Sequence, residues 1–183
     1  MLAAILPACA GALGVDSAAA GAISPKTCRG SNLSPNASDG PAIDAATLCL
    51  INQERAAYHL RALKPNNTLG AVAGSQLGSM VRWNYFADDR PTGQTPMSLV
   101  SRTPYRGHAA RLSVGQNIAW GAGGGATPAR IVAAWMASRP HREVILTGEF
   151  RDAGVAASPI LPSALGVWVR GAIYAIELGA RAT

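Results

Sequence analysis

Apolar positions recur at helical spacing in the first half of the chain and in short β-rich runs near its end. Asp44 is placed to cap a helix from Ala45 to about Leu60, with Leu48, Ile51 and Tyr58 near one face. Lys64-Pro65-Asn66-Asn67 interrupts it, and a second helix is predicted from Thr68 to Trp83 on the stripe Leu69, Val72, Ala73, Gln76 and Met80. Gln76 lies either at the edge of that stripe or in a hydrogen bond. From Asn84 to Ser113 the chain is turn-rich, with a short helix around Met97–Ser101. Leu112 to Trp120 is readable as a strand or as a segment extended across a cleft.

Gly121–Ala126 reads as a flexible hinge; without a trailing Gly-Lys-Ser/Thr it is not a phosphate-binding loop. Thr127-Pro128 starts a helix whose apolar face is Ile131, Val132, Trp135 and Met136. Pro140 restarts a short helix carrying His141, Val144, Ile145 and Leu146. Three β-rich runs, Ala153–Ser158, Leu165–Arg170 and Ala172–Leu178, then predict an antiparallel meander. Helices first and strands last imply an α+β layered domain.

The 183 residues fit one domain, with 49% hydrophobic and 14% charged residues, which argues against wholesale disorder. The net charge is +6, but the arginines are scattered singly and no nucleic-acid module is visible, so nucleic acid is not an expected partner. Leu2–Val15 carries no charge and is too short to span a membrane. With the small residues Ala18–Ala22 behind it, residues 1–22 read as a signal peptide lacking the usual basic start. A lipid anchor at Cys9 is the alternative to free secretion. Residues 23–43 then form an irregular lead-in and 44–183 the domain. In an exported chain Cys28 and Cys49 read as a disulfide, the alternative being two buried thiols.

Ordered blocks along the chain sharpen this picture: Leu50-Ile51-Asn52-Gln53-Glu54-Arg55, Leu60-x-x-Leu63, Tyr85-Phe86, Gly93-x-Thr95-Pro96, Val114-Gly115-Gln116-Asn117-Ile118-Ala119, Trp135-Met136-x-Ser138-x-Pro140-His141-Arg142 and Tyr174-x-x-x-Leu178-Gly179. From about Leu48 to Gly179 the chain resembles the CAP superfamily of cysteine-rich secretory, antigen 5 and pathogenesis-related proteins, in a short bacterial form. The resemblance implies a three-layer α-β-α sandwich with a mainly antiparallel sheet, an open cleft, secretion, and a disulfide near the first helix.

It also implies cleft histidines and acids able to take a divalent metal, and here the match is partial. Ala87-Asp88 stands where the family has Ser-His, Gln116 where it has glutamate, and Ser138 where some members have glutamate; His141 is retained. The cleft candidates are therefore Asp88, Gln116, Asn117, Ser138 and His141. An imidazole, one carboxylate and a neutral amide make a poor zinc set, so neither a metal nor another cofactor is expected. His59 and His108 read as solvated. The functional expectation is a non-catalytic, monomeric binding module for a lipid, sterol-like or cell-wall component. The alternative is a cleft hydrolase with His141 as base and Asp88 as its orienter, although no Gly-x-Ser-x-Gly elbow is present.

Overall fold

The computed structural model describes residues 28–36 and 38–182; the expected signal peptide over 1–22, with Cys9, and the first part of the lead-in lie outside them. Elements follow in the order α1 (Gly40–Ala57), β1 (Lys64–Pro65), α2 (Asn67–Trp83), α3 (Pro96–Ser101), β2 (Arg111–Ala122), α4 (Pro128–Ala137), α5 (Arg139–Ile145), β3 (Asp152–Ser158) and β4 (Gly171–Ala182). The sheet order is β1-β3-β4-β2. β4 runs antiparallel to both neighbours, whereas β1 pairs parallel with β3, so the sheet is mixed rather than wholly antiparallel.

Side-chain alternation along β4 divides the core into two layers. Tyr174, Ile176 and Leu178 pack with Ile43, Ile51, Ile131, Trp135 and Ile145 on the side of α1, α4 and α5. Ile173 and Ala175 pack with Ala73, Leu77 and Met80 of α2 on the other. This is the expected three-layer sandwich. Tyr174 donates its hydroxyl to Ala126 O at 2.6 Å, and Trp135 Nε1 donates to Ile118 O at 3.1 Å, so both buried aromatics satisfy their polar ends.

Local signals explain the helix starts. Asn66 Oδ1 accepts from Leu69 N, Thr95 Oγ1 from Ser98 N and Thr127 Oγ1 from Arg130 N, each satisfying an otherwise orphaned N–H of the first turn. Helix α1 departs from expectation, because it begins at Gly40 and puts Asp44 inside the helix. The Asp44 carboxylate instead accepts from the Ala157 backbone N–H on β3, and burial pushes its pKa up to about 7. Leu165–Arg170 is not a strand. Both edges of β4 are taken by β2 and β3, so the run forms part of the connection between β3 and β4.

Cys28 and Cys49 form a disulfide that ties the lead-in to α1, with Cα atoms 5.8 Å apart. The lead-in is further held by Ala129 N donating to Ser31 O at 2.9 Å. Among the described residues no helix is long and apolar enough to cross a membrane.

Candidate functional site

The candidate site lies on the α2 side of the sheet. There α2 covers β3 and β4 and leaves the face of β2 around Gln116 partly open. The β2–β4 register sets Gln116 opposite Glu177. Gln116 Nε2 donates to Glu177 Oε1, while Gln116 Oε1 and Glu177 Oε2 are buried without a protein partner. Glu177 is fully buried, and its pKa is pushed up to about 8. Burial is the main cause; the Gln116 amide opposes it, the Asp88 charge adds to it, and Arg90 opposes it. A carboxyl inside a sheet otherwise filled with Ile, Ala and Tyr holds its proton because ionisation would strand a charge away from water.

Asp88 reaches this region on the loop after α2. Buried Gln76 fixes that loop by donating from Nε2 to Ala87 O and Asp88 O at 3.0 and 2.9 Å. Arg90 Nε returns to Gln76 Oε1 at 3.0 Å. Of the two readings of Gln76, the hydrogen-bonded one is observed, with the amide fully inside. The Asp88 carboxyl is raised by desolvation; His141 counteracts this and Asp89 adds to it. His141 approaches from α5 beyond the β2 edge, and its Nδ1 lies 2.8 Å from Ser138 Oγ. Ser138 makes no side-chain cap at the junction of α4 and α5; its hydroxyl is committed to the imidazole.

Asp88, Gln116, Ser138 and His141 therefore border one region, while Asn117 serves another purpose. Consecutive strand residues point to opposite faces, so Asn117 lies on the α5 side, where its Nδ2 donates to His141 O at 2.9 Å. It ties the backbone of α5 to the sheet and so positions His141. Glu177, the most buried acid of the site, escapes sequence reasoning because it stands in an apolar run. Its one signal is that same isolation, an acid between Ile176 and Leu178 in a central strand.

The donor set does not suit the divalent metal that the family resemblance implies. Among the described residues no three His, Cys, Asp or Glu side chains group as a metal site requires. His141 Nδ1 is engaged by Ser138, and one Glu177 oxygen by Gln116. Calorimetric titration of the wild type should give only weak zinc binding. Asp88→His with Gln116→Glu should raise the affinity, since imidazole and carboxylate outrank an amide as ligands. Tight one-to-one binding by the wild type would contradict this.

The sequence matches the Cysteine-rich secretory protein family, CAP, over residues 48–160. The chain belongs to the CAP family. A curated relative, the uncharacterized protein YkwD of Bacillus subtilis (strain 168), is 32% identical over 132 residues, which cover 72% of this chain and 49% of the relative. This CAP chain thus spans about half the length of that relative. Among solved structures, an outer surface protein of Borrelia burgdorferi is similar at a TM-score of 0.59 and 18% identity, covering 73% of this chain and 89% of that one. An extracellular protein containing a SCP domain from Bacillus anthracis str. Ames is similar at a TM-score of 0.61 and 21% identity, over 81% of this chain and 45% of that one. At these identities the likeness is one of CAP fold.

The buried acids give the CAP domain an unusual pH response. A carboxyl whose folded pKa lies above its unfolded value stabilises the fold fully below the unfolded pKa and loses that contribution as pH rises through the folded one. For Glu177 the window runs from 4.5 to about 8 and for Asp44 from 3.8 to about 7. Unfolding free energy should therefore fall across this range, with Glu177 contributing about 4–5 kcal/mol of the decline. Glu177→Gln should flatten the profile and leave the protein more stable than wild type near pH ~8.5. Urea denaturation at a series of pH values measures this. A wild-type stability that rises across the same window would refute it.

Proposed function

We propose that this CAP domain is a secreted, non-catalytic binding module of the cell envelope or its surroundings, whose cleft takes a lipid or cell-wall component through that molecule's hydroxyl or amide groups. The observation that carries the reading is a pair of buried polar atoms without a protein partner, the acceptor Gln116 Oε1 and the protonated carboxyl oxygen Glu177 Oε2, on the partly open face of β2 and β4. Such atoms cost free energy unless a partner reaches them, and a ligand's hydroxyl or amide can donate to Gln116 Oε1 and accept from the Glu177 carboxyl. Apolar Leu112, Val114 and Ile118 on the same face of β2 would line the less polar part of such a ligand. Secretion accords with the apolar, uncharged start of the chain and the Cys28–Cys49 disulfide. The extracellular and outer-surface relatives of the same fold support it further.

The test is retention of envelope lipids from vesicles, and of soluble peptidoglycan fragments, by wild type and by Gln116→Leu, read by mass spectrometry. Gln116→Leu removes one orphaned acceptor and the amide that holds Glu177, and retention should fall about tenfold or more. Failure of the wild type to retain either class, or equal retention by both proteins, would overturn the reading.

A further inference from the structure

Three of the four tryptophans are exposed, and all three lie at one end of the α2 layer. Helix α2 runs alongside β3 in the same direction, because Gly70 lies against Gly154 and Val155 while Gly74 lies against Ala156. Its C-terminal Trp83 therefore sits at the end where β3 finishes. Trp120 sits near the end of β2 opposite Ile173, on the face that carries Ile118. The connection between β3 and β4 closes the same end. Asn84 Oδ1 accepts from Ser163 Oγ and Ala164 N at 2.9 and 2.6 Å, and Gly123 N donates to Arg170 O at 2.8 Å.

That connection is anchored from below and apolar on top. Leu161 and Leu165 pack into the α2-side core. Ile160, Trp168 and Val169 project outward at 59, 94 and 63% exposure. Arginines flank the aromatics: Arg82 stacks over Trp83 at 5.8 Å, and Arg170 follows Val169. No acidic residue occurs between Ala153 and Ile176. Asp88 and Asp89 follow on the loop that Gln76 pins, about two helical turns back from Trp83.

We propose that this end docks on an anionic lipid bilayer, with Trp83, Trp120 and Trp168 at the headgroup level, Ile160 and Val169 entering the acyl boundary, and Arg82 and Arg170 pairing with lipid phosphates. Indole rings favour such an interface because they are apolar with one polar N–H, and arginine pairs readily with phosphate. Exposed aliphatic side chains beside the rings favour a membrane over a sugar surface, since sugars stack on rings and gain little from Ile or Val. The surface is separate from the proposed cleft, although Trp120 and Gln116 share one face of β2 about 13 Å apart. Docking would hold the cleft just above the lipid headgroups.

The full chain would be mixed with vesicles of phosphatidylcholine, with and without phosphatidylglycerol, in which some acyl chains are brominated to quench nearby indoles. Trp135, 1% exposed, supplies an unquenched internal reference. Binding is expected with phosphatidylglycerol, weakening as salt rises, with quenching of the exposed tryptophans. Trp168→Ser, at a position too exposed to affect folding, should weaken partitioning roughly tenfold or more. Arg170→Glu should weaken it at low salt. Arg61→Gln, an exposed arginine in the loop after α1 beside the start of β3, at the opposite end of the sheet, should leave it nearly unchanged, which separates this surface from a general effect of basic charge. No binding, binding without quenching, or binding that Trp168→Ser leaves intact would overturn the proposal. So would loss of self-association or of glycan binding in that variant with vesicle binding retained.

Discussion

Replacing Arg55 with alanine should lower the unfolding free energy by about 3–5 kcal/mol, one of the two largest effects expected from a single substitution in this chain. Arg55 is fully buried near the end of α1. Its Nε donates to Arg61 O at 3.0 Å, its Nη1 to Ile145 O and Thr147 O at 2.6 and 3.0 Å, and its Nη2 to Phe150 O at 3.4 Å. One guanidinium thus satisfies carbonyls from the loop after α1, the end of α5 and the approach to β3. Its pKa is lowered by desolvation and then by nearby Arg151, so the charge is already costly in place. Alanine would leave the carbonyls without donors and a cavity where the side chain lay. Lysine keeps the charge but cannot span the same fork of acceptors, and should recover only part of the loss. Urea denaturation with unchanged m-values measures both; a loss under about 1 kcal/mol for alanine would show that water replaces the guanidinium.

Gly154→Ala should be comparably damaging, at about 3 kcal/mol or more, for a steric reason. A Cβ at 154 would fall inside the van der Waals envelope of Gly70 N and Leu69 C, both backbone atoms of α2 that cannot swing aside. The helix would have to lift from the sheet and carry Gln76, and with it the Asp88 loop, away from Glu177. Gly78→Ala is the matched control. Its Cβ would meet nothing within 4 Å, so removing a helical glycine there should stabilise by roughly 0.5–1 kcal/mol. Thermal unfolding of the two variants side by side decides between a packing effect at 154 and a general intolerance of α2.

The features that sequence reasoning reads well have local causes. Caps and prolines locate α2, α3 and α4 to within a residue or so, and the 3.6 period on α2 identifies its buried stripe. The start of α1 escapes it because Asp44 has the chemistry of a cap, and only the fold shows that it faces a backbone N–H on β3. Leu165–Arg170 alternates like a strand, but pairing is a long-range matter and both sides of β4 are already occupied. The cleft shows the same division. Asp88, Gln116, Ser138 and His141 are visible through family blocks, whereas Glu177 depends on the register of β2 against β4. Asn117 leaves the cleft for the opposite face because adjacent residues in a motif separate once the motif becomes a strand.

The position of β4 in the sheet bears on how the protein is made. Among the described residues β2 pairs only with β4, and β3 has otherwise just the two-residue β1 beside it. Yet β4 is the last of these elements to leave the ribosome. A nascent chain ending before Gly171 can form its helices, whose hydrogen bonds are local, but presents two strands with no central partner. Non-local pairing of this kind delays folding until the distant segment arrives. The domain therefore has no folded sheet to unravel until β4 has been made, and a chain threaded across a membrane during synthesis would have passed its residues up to β4 through before the sheet could close.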